Sequence, residues 1–357
     1  MARYPITRLA VDAFGPFGDV DLTLSPNLNI ITGENASGKT QLLKLLYAST
    51  RAQKSATALT KTELATGIAN ALMGVFRPNQ LGRLARRVQG RSRATVSVKY
   101  QGIGNELAFN FTSHAQTEVK VSSVPQTSLD DTPVFFPSRE LLSLYPGLVS
   151  LYDTREVEFD ETWRDTALLL GRQALRGPRG TKANELLEPI LDEIEGSVVE
   201  EGGRFYVRLP AGTTGTAKIE AHLVSEGFRK LAMIIRMVSN GVLLEGGYLF
   251  WDEPEANLNP EVQRAVASVI LLLARAGTQV FVATHSIFLL RELEILLETS
   301  PFAEVAPRYI GLYRESERAA GEITSGVWGE SVSDPADLKS IASLNAESAQ
   351  SARYLGI

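Results

Sequence analysis

The segment from Gly33 to Thr40 has the residue types and the spacing of a phosphate-binding loop. It reads GENASGKT, follows the apolar run Leu28 to Ile31, and precedes an amphipathic helix. Glycines let such a loop turn back on itself, so that backbone N–H groups and the helix N-terminus face phosphate oxygens. We predict that Lys39 reaches the β- and γ-phosphates and that the Thr40 hydroxyl completes a Mg²⁺ shell. The pattern therefore predicts nucleotide binding.

An acidic pair at the end of a second apolar segment supplies the other half of the predicted site. Residues Tyr248 to Trp251 are all bulky and apolar, and Asp252 and Glu253 follow them. Such a segment is typical of a central strand buried on both faces, and ligands of open α/β sheets lie at the carboxyl ends of strands. We predict that Asp252 holds Mg²⁺ and that Glu253 orients or deprotonates the water that attacks the γ-phosphate.

A histidine lies just beyond a third apolar segment. The run TQVFVA ends in Thr284-His285-Ser286, and His285 is one of only three histidines in the chain. A neutral imidazole in that place could hydrogen-bond the γ-phosphate or the attacking water. The alternative is a structural histidine that caps the following helix.

Composition limits the class of protein. The chain has 357 residues, a net charge of −5 and no cysteine. This length fits two or three average domains or one elaborated α/β domain. The charge argues against a uniformly basic nucleic-acid binder, and the missing cysteines exclude disulfides and thiolate metal sites. The N-terminus lacks the apolar core of a signal peptide, and the run from Val266 to Ala274 is too short to span a bilayer, so we expect a cytoplasmic protein without membrane association.

The periodicity of apolar residues outlines the remaining elements. Residues 6–24 read as a hairpin laid beside the P-loop strand, and we expect Phe14 and Phe17 of its turn to pack in the core rather than on a nucleotide base. Alternation between residues 94 and 124 predicts an antiparallel meander, and residues 139–195 read as helical. A hairpin over residues 204–224 leads to Ser225, which is well placed to cap the next helix.

One segment is strongly basic. Between Glu63 and Glu106 there is no acidic residue but there are seven basic ones. A phosphate-backbone contact surface and a solvated face or dock for an acidic partner explain the pattern about equally well, because no aromatic residues are interleaved. The candidate contacts for DNA or a partner are Arg83, Arg86, Arg87, Arg91 and Arg93.

Taken together, four segments give the chain a family resemblance. In order they are GENASGKT, SEGFRKLA, YLFWDEPEANLNP and VFVATHS. The chain resembles an ABC-type ATPase, and more narrowly the stand-alone AAA-family ATP-binding proteins related to OLD-family and SMC-like head ATPases. The resemblance implies an α/β P-loop NTPase fold with a mixed, largely parallel central sheet, an antiparallel β lobe and a helical insertion. The implied divisions are ATPase lobe I at residues 1–130, the insertion at 131–200, lobe II at 201–330 and a helical tail at 331–357.

The resemblance also implies a role for each site residue. The catalytic residues are Glu253, His285 and Lys39, and Mg²⁺ is held by Thr40 and Asp252. Ser225 and Gly227 stand in the signature motif and Asn257 in the D-loop, which contact ATP bound to a second subunit. The Walker A contacts to ATP are Gly33, Glu34, Asn35, Ala36, Ser37, Gly38, Lys39, Thr40 and Gln41.

Two positions depart from the family pattern. The signature carries Glu226 where transporters have glycine, and no glutamine follows the apolar run Val134 to Phe136. Ser138 or Arg139 could take the place of the Q-loop glutamine, and an arginine there could stabilise transition-state charge.

These features favour one function and leave alternatives. The first hypothesis is a homodimer, or a higher oligomer, that closes around ATP and signals to a separate effector protein in anti-phage defence, toxin–antitoxin systems or DNA repair. The second is an ATPase that acts directly on DNA or with a nuclease. Intrinsic nuclease activity is disfavoured because no D-x-D pair follows His285, and a helix start explains Asp334 and Asp337 better. A transporter subunit is disfavoured by the variant signature and by the long separation of Lys39 from Asp252.

Overall fold

The structure is a computed structural model that describes residues 2–86, 92–154, 158–194, 197–208, 218–244, 246–319, 322–339 and 341–355. Its strands are β1 (Ile6–Asp12), β2 (Asp19–Thr23), β3 (Leu28–Gly33), β4 (Arg93–Tyr100), β5 (Leu107–Thr112), β6 (Lys120–Ser123), β7 (Pro133–Phe136), β8 (Ser197–Glu201), β9 (Arg204–Arg208), β10 (Lys218–Glu220), β11 (Gly247–Asp252), β12 (Thr278–Ala283), β13 (Pro307–Ala319) and β14 (Glu322–Val332). Its helices are α1 (Lys39–Ser55), α2 (Lys61–Phe76), α3 (Tyr145–Thr154), α4 (Glu161–Leu170), α5 (Pro178–Ile194), α6 (Glu226–Ser239), α7 (Pro260–Arg275), α8 (Ile287–Leu297) and α9 (Ala342–Leu355). Within these ranges, each helix falls short of the length and apolar character needed to cross a lipid bilayer.

A six-stranded sheet with the order β14-β13-β3-β12-β11-β7 forms the centre of the molecule. The strands from β13 to β7 are parallel, and β14 pairs antiparallel with β13. Because β3, β12 and β11 run in one direction, their carboxyl ends meet at one edge of the sheet. The predicted P-loop, histidine and acidic pair follow those three ends, so the three segments lie together. The predicted mixed α/β fold is confirmed.

Both faces of this sheet are covered. Along β11, Leu249 and Trp251 pack in a core shared with α6 and α7, whereas Tyr248 and Phe250 pack in a core shared with α1, α2 and the antiparallel strands. All four side chains are fully buried. This explains why the strand reads as a continuous apolar run rather than as an alternating one.

The antiparallel lobe is a second sheet with the order β2-β1-β4-β5-β6. The predicted hairpin and meander are confirmed as elements, but β1 pairs with β4, and the hairpin does not lie beside the P-loop strand as we expected. Both neighbours of β3 are strands of the central sheet, β12 and β13, so no edge of β3 is left for the hairpin. Phe14 and Phe17 are fully buried, which confirms their place in the core.

The middle of the chain contains both helices and strands. The residues predicted as a helical insertion include α3, α4 and α5, but also β7 at the edge of the central sheet and β8, which pairs with β9 in a three-stranded sheet. At the other edge of the central sheet, β13 and β14 form a long antiparallel pair that the sequence analysis did not predict. Residues 139–195, predicted as helical, contain α3, α4 and α5.

Ion pairs join the P-loop helix α1 to α4. The Tyr47 hydroxyl donates to Asp165 at 2.7 Å, and the Arg51 guanidinium contacts the same carboxylate at 3.0 Å. One turn earlier, Lys44 pairs with Asp160 at 2.7 Å. Burial raises the pKa of Asp165, and the neighbouring Arg51 charge opposes that rise. The helix that carries Lys39 at its start is thereby attached to the helical segment.

A single buried glutamine joins the two large sheets. Gln279 of β12 is fully buried; its side-chain oxygen accepts the Ile6 N–H at 2.8 Å, and its amide donates to the carbonyls of Ile6 and Ser25 at 2.7 Å each. These bonds satisfy backbone groups where β1 and β2 meet the central sheet. Buried backbone groups without a partner are costly.

We expect Gln279→Leu to lower the free energy of unfolding by about 3 kcal/mol, because one buried N–H and two carbonyls lose their partner. Urea denaturation followed by circular dichroism measures this change. The matched control is Gln101→Leu, whose side chain is exposed and which should change stability by less than about 0.5 kcal/mol. Equal stability of the two variants would contradict the proposed link between the sheets.

Candidate functional site

The P-loop is shaped by close packing around two glycines. β3 ends at Gly33, and a Cβ there would lie 2.5 Å from the carbonyl oxygen of Leu312. Gly38 precedes α1 with a φ of 89°, and a Cβ there would lie 2.9 Å from the ring of Phe17. Only glycine fits either position, because the loop is pressed against β13 on one side and against the β1–β2 turn on the other.

The P-loop lysine is held inside its own loop. Lys39 is 7% exposed, and its ammonium donates to the carbonyls of Gly33 and Glu34 at 2.9 and 3.0 Å. Burial lowers the pKa of Lys39, whereas the carboxylates of Glu253 and Asp252 act in the opposite direction. The positive charge thus lies within the electrostatic reach of the acidic pair.

Thr40 and Asp252 are brought together from positions far apart in the chain. The Thr40 hydroxyl donates to the two carboxylate oxygens of Asp252 at 2.9 and 3.0 Å. Burial raises the pKa of Asp252 to about 6, and the hydrogen bond from Thr40 opposes this rise. A hydroxyl and a buried carboxylate are hard oxygen donors that fit Mg²⁺, and a bound cation would favour the ionised form of the carboxylate.

Glu253 and His285 face each other at the same edge of the sheet. Nδ1 of His285 lies 3.3 Å from Oε1 of Glu253, and the imidazole is half exposed. Glu253 has a φ of 47°, and its N–H donates to the carbonyl of Ala283 at 2.8 Å. Positive φ is costly for a glutamate, and such strain is found at functional sites. Ser286, rather than His285, caps α8 through its hydroxyl.

The signature segment is adjacent to the D-loop on the surface. Ser225 occupies the N-cap position of α6 and is exposed, but its hydroxyl makes no capping bond, so the predicted side-chain cap is wrong. A Cβ at Gly227 would lie 3.2 Å from the carbonyl oxygen of Asn257. Asn257 is exposed and has a φ of 64°. These three residues, predicted to act on a second subunit, share one side of the molecule.

A buried lysine that the sequence analysis missed ties the signature helix to the acidic loop. Lys230 is 1% exposed, and its ammonium donates to the carbonyls of Ser138 at 3.0 Å, Glu253 at 2.7 Å and Ala256 at 3.3 Å. Burial lowers the pKa of Lys230 to about 8. The sequence signal for this linking role was a lysine at a position on the apolar face of α6. Of the two Q-loop candidates, Ser138 takes part only through its carbonyl, and Arg139 is exposed.

The candidate arginines divide into two groups. Arg83 and Arg93 are both exposed. They lie on either side of the turn that follows β5, since Gly82 donates its N–H to Ala115 and Arg93 pairs with Thr112. Arg86 lies elsewhere, with its guanidinium carbon 5.6 Å from the ring centroid of Trp328. The other two candidates, Arg87 and Arg91, lie outside the described residues.

A cavity of about 240 Å³ opens beside the P-loop. It is bordered by Pro16, Ala36 and the guanidinium groups of Arg86 and Arg314. Arg314 also donates to the carbonyl of Ala36 at 2.9 Å, so β13 helps to fix the loop. Open volume and positive charge therefore adjoin the phosphate-binding segment.

Comparisons with known proteins find two family models and short segments of curated relatives that match this chain. A family model described as "AAA domain, putative AbiEii toxin, Type IV TA system" matches residues 129–291, and a model described as "AAA domain" matches residues 8–120. The DNA replication and repair protein RecF of Actinobacillus pleuropneumoniae serotype 5b (strain L20) is 46% identical over 43 residues, which is 12% of each chain. RecF of Halalkalibacterium halodurans is 38% identical over 56 residues, 16% of this chain and 15% of that protein. The matches thus span less than a fifth of the length of these curated relatives.

Among solved structures, the Smc head bound to the C-winged helix domain of ScpA superposes with a TM-score of 0.54. The identity is 14%, and the superposition covers 94% of this chain and 100% of that chain. The fold and the P-loop with its acidic pair define the class, a P-loop ATPase of the ABC type. Together with two AAA-domain models that each match less than half of the chain, they support an ATP hydrolase that is similar to AAA-domain proteins and has the fold of the Smc head.

The raised pKa of Asp252 predicts a pH dependence of stability in the absence of nucleotide and metal. Because the folded-state pKa of about 6 exceeds the usual value near 3.9, the native state holds its proton more tightly, and stability falls as pH rises through this window. Between pH 5 and pH 8 the wild type should therefore lose about 1 kcal/mol more than Asp252→Asn.

Thermal unfolding in EDTA at the two pH values measures this difference. Asp165→Asn, which also removes a buried carboxylate of raised pKa but breaks its pairing with Arg51, serves as the comparison. A difference between wild type and Asp252→Asn that does not change with pH would contradict the buried, proton-binding carboxylate.

Proposed function

We propose that this chain is an ATP-switched dimer in which two copies close head to tail around two nucleotides. The observation that carries the proposal is Ser225, which is exposed at the start of α6 and leaves its hydroxyl free of any capping bond. A helix N-terminus with such a hydroxyl is suited to bind phosphate oxygens. Asn257, exposed beside it, would meet the same partner subunit.

Within each site, the chain's own residues divide the work. The P-loop amides and Lys39 would bind the phosphates, and the base would lie in the cavity bordered by Arg86 and Arg314. Thr40 and Asp252 would hold Mg²⁺, which supplies charge neutralisation when it is bound. Glu253 would accept a proton from the attacking water, and the imidazole of His285, 3.3 Å away, would orient that carboxylate.

The output of the switch would be a change of conformation passed to a separate effector protein. The family description that names a type IV toxin–antitoxin system supports a toxin–antitoxin setting. The RecF relatives, named for DNA replication and repair, support a repair setting. In either setting, the proposed ATP-dependent closure would be the same.

We expect Glu253→Gln to accumulate as a dimer with ATP, because binding is preserved while hydrolysis is blocked. Analytical ultracentrifugation at micromolar protein, with and without ATP, measures the change. A Lys39→Ala/Glu253→Gln variant should bind no ATP and show no ATP-dependent dimer.

The decisive variant is Ser225→Arg/Glu253→Gln. It should bind ATP as tightly as Glu253→Gln, since its own P-loop is intact, but should not dimerise. Dimerisation of this variant with ATP would remove the signature from the interface. If Glu253→Gln sediments identically with and without ATP, that result would contradict the ATP-switched dimer itself.

A second candidate function is direct action on DNA. It is favoured by Arg83 and Arg93, which lie exposed on either side of one turn of the antiparallel lobe. Paired arginines of this kind suit contacts to the phosphate backbone, which are independent of sequence and sensitive to salt. The short RecF matches support the same function.

We expect Arg83→Glu/Arg93→Glu to weaken DNA binding equally for unrelated sequences. The slope of log K against log [salt] should fall in magnitude by about 2, one for each lost phosphate contact. Fluorescence anisotropy of labelled duplexes at several salt concentrations measures both quantities.

The matched control is Arg264→Glu/Arg275→Glu, which makes the same change of charge on α7, on the other face of the central sheet. Its effect on the salt slope should be small. If both double variants weaken binding to the same extent, the Arg83–Arg93 surface is not the contact.

A further inference from the structure

The second glutamate of the DEPE segment is buried and is engaged by the loop that carries His285. Glu255 is 6% exposed, and its Oε1 accepts a hydrogen bond from the Thr284 hydroxyl at 2.7 Å. The same oxygen accepts the backbone N–H groups of His285 at 3.1 Å and Ser286 at 3.2 Å. One carboxylate oxygen thus gathers three donors from three consecutive residues.

This oxygen also lies beside the imidazole. Nδ1 of His285 is 3.6 Å from Oε1 of Glu255 and 3.3 Å from Oε1 of Glu253. The same ring nitrogen is therefore close both to the carboxylate assigned to proton transfer and to a second carboxylate that is closed off from solvent. Burying a carboxylate is unfavourable unless hydrogen bonds compensate. Among the residues that the structure describes, the bonds to Oε1 come from the histidine loop, and Oε2 is buried without a partner.

The backbone around the histidine has few other fixed points. Thr284 donates its N–H to Ile31 of β3 at 3.0 Å, and α8 begins only after Ser286. Between these two anchors, residues 284–286 are held by the contacts to Glu255, by the Ser286 N–H, which also donates to the Thr284 hydroxyl at 3.0 Å, and by the Ser286 hydroxyl, which donates to Gln263 at 3.0 Å. Hydrogen bonds to a charged acceptor are stronger than those to a neutral one, so this carboxylate is suited to hold the loop.

We propose that Glu255 is a positioning residue that acts through His285, fixing the imidazole against Glu253. The proposal rests on the proposed role of His285 in hydrolysis. Glu255 does not touch the reacting atoms; it sets the place of the imidazole that orients Glu253. Its removal should therefore slow hydrolysis and leave ATP binding by the P-loop unchanged.

Steady-state ATPase kinetics of Glu255→Ala and Glu255→Gln give the first test. Glu255→Ala should lower kcat by at least about 10-fold with KM for ATP within about 3-fold of wild type, because the loss falls on the reacting geometry alone. Glu255→Gln keeps an acceptor oxygen and should retain kcat within about 3-fold. The matched control is Glu261→Ala, an exposed glutamate at the start of α7, which should behave as wild type. A normal kcat in folded Glu255→Ala, or a KM that rises as far as kcat falls, would overturn the proposal.

A double-mutant cycle shows whether Glu255 acts through the histidine. In a His285→Ala background, Glu255→Ala should cause no further loss of kcat, because the group it positions is already gone. If the two substitutions lower kcat independently, so that their fold-losses multiply, the proposal is overturned. If His285→Ala hydrolyses ATP like wild type, the proposed role of the histidine fails instead, so the two failures are distinguishable.

Nuclear magnetic resonance gives a readout that does not depend on hydrolysis. The chain has three histidines, and His114 and His222 are exposed, so His114→Gln/His222→Gln leaves the His285 ring as the only imidazole signal. In this background, Glu255→Ala should shift the ring ¹⁵N and ¹³C resonances, and Glu255→Gln should largely restore them. Unchanged ring resonances in Glu255→Ala would overturn the contact. This test remains valid even if the variant is too unstable for ATPase kinetics at higher temperature.

Discussion

Parallel pairing of β3, β12 and β11 is the constraint on which the site depends. The register places Asp252 level with Ala283, and Ala283 level with Ile31. The ladder continues one residue past the strands, since Glu253 donates its N–H to Ala283 and Thr284 donates to Ile31. A slip of one residue would turn every side chain to the opposite face of the sheet. The same apolar packing that fixes the register therefore brings the acidic pair, the histidine loop and the P-loop to one edge.

At this edge, burial opposes the ionised forms of the site residues. The pKa of Lys39 is lowered and that of Asp252 is raised, in both cases chiefly by desolvation. Each shift moves the group towards its neutral form when the site holds no ligand. A polyphosphate near Lys39 and a cation near Asp252 would reverse both shifts, because each brings the opposite charge. The two shifts therefore suit a site that takes an anion beside Lys39 and a cation beside Asp252.

The parts of the site that sequence could predict are those encoded by local patterns. The P-loop, Asp252, Glu253 and His285 each follow a continuous apolar run, and the sheet topology of such runs is restricted, so their meeting point could be foreseen. Lys230 and Glu255 could not be placed in the same way, because their partners are carbonyl oxygens and N–H groups of other loops.

The arginine segment illustrates the same limit. Sequence placed Arg83, Arg86 and Arg93 in one basic run, but Arg86 turns to the ring of Trp328, which lies on a strand that no local pattern indicated. The position of the β1–β2 hairpin was also beyond local reasoning. It depends on which strands pair with the two edges of β3, and these are β12 and β13.

The contacts of α6 explain how the surface of the chain and its reacting groups are connected. Gly227 packs against the carbonyl of Asn257, and three residues further along the same helix Lys230 donates to the carbonyl of Glu253. Glu255 lies between those two acceptors in sequence and holds the histidine loop. A subunit that pressed on Ser225 and Asn257 would therefore bear on the backbone of Glu253 and, through Glu255, on His285. No separate relay is needed, because each step is a direct contact between neighbouring segments.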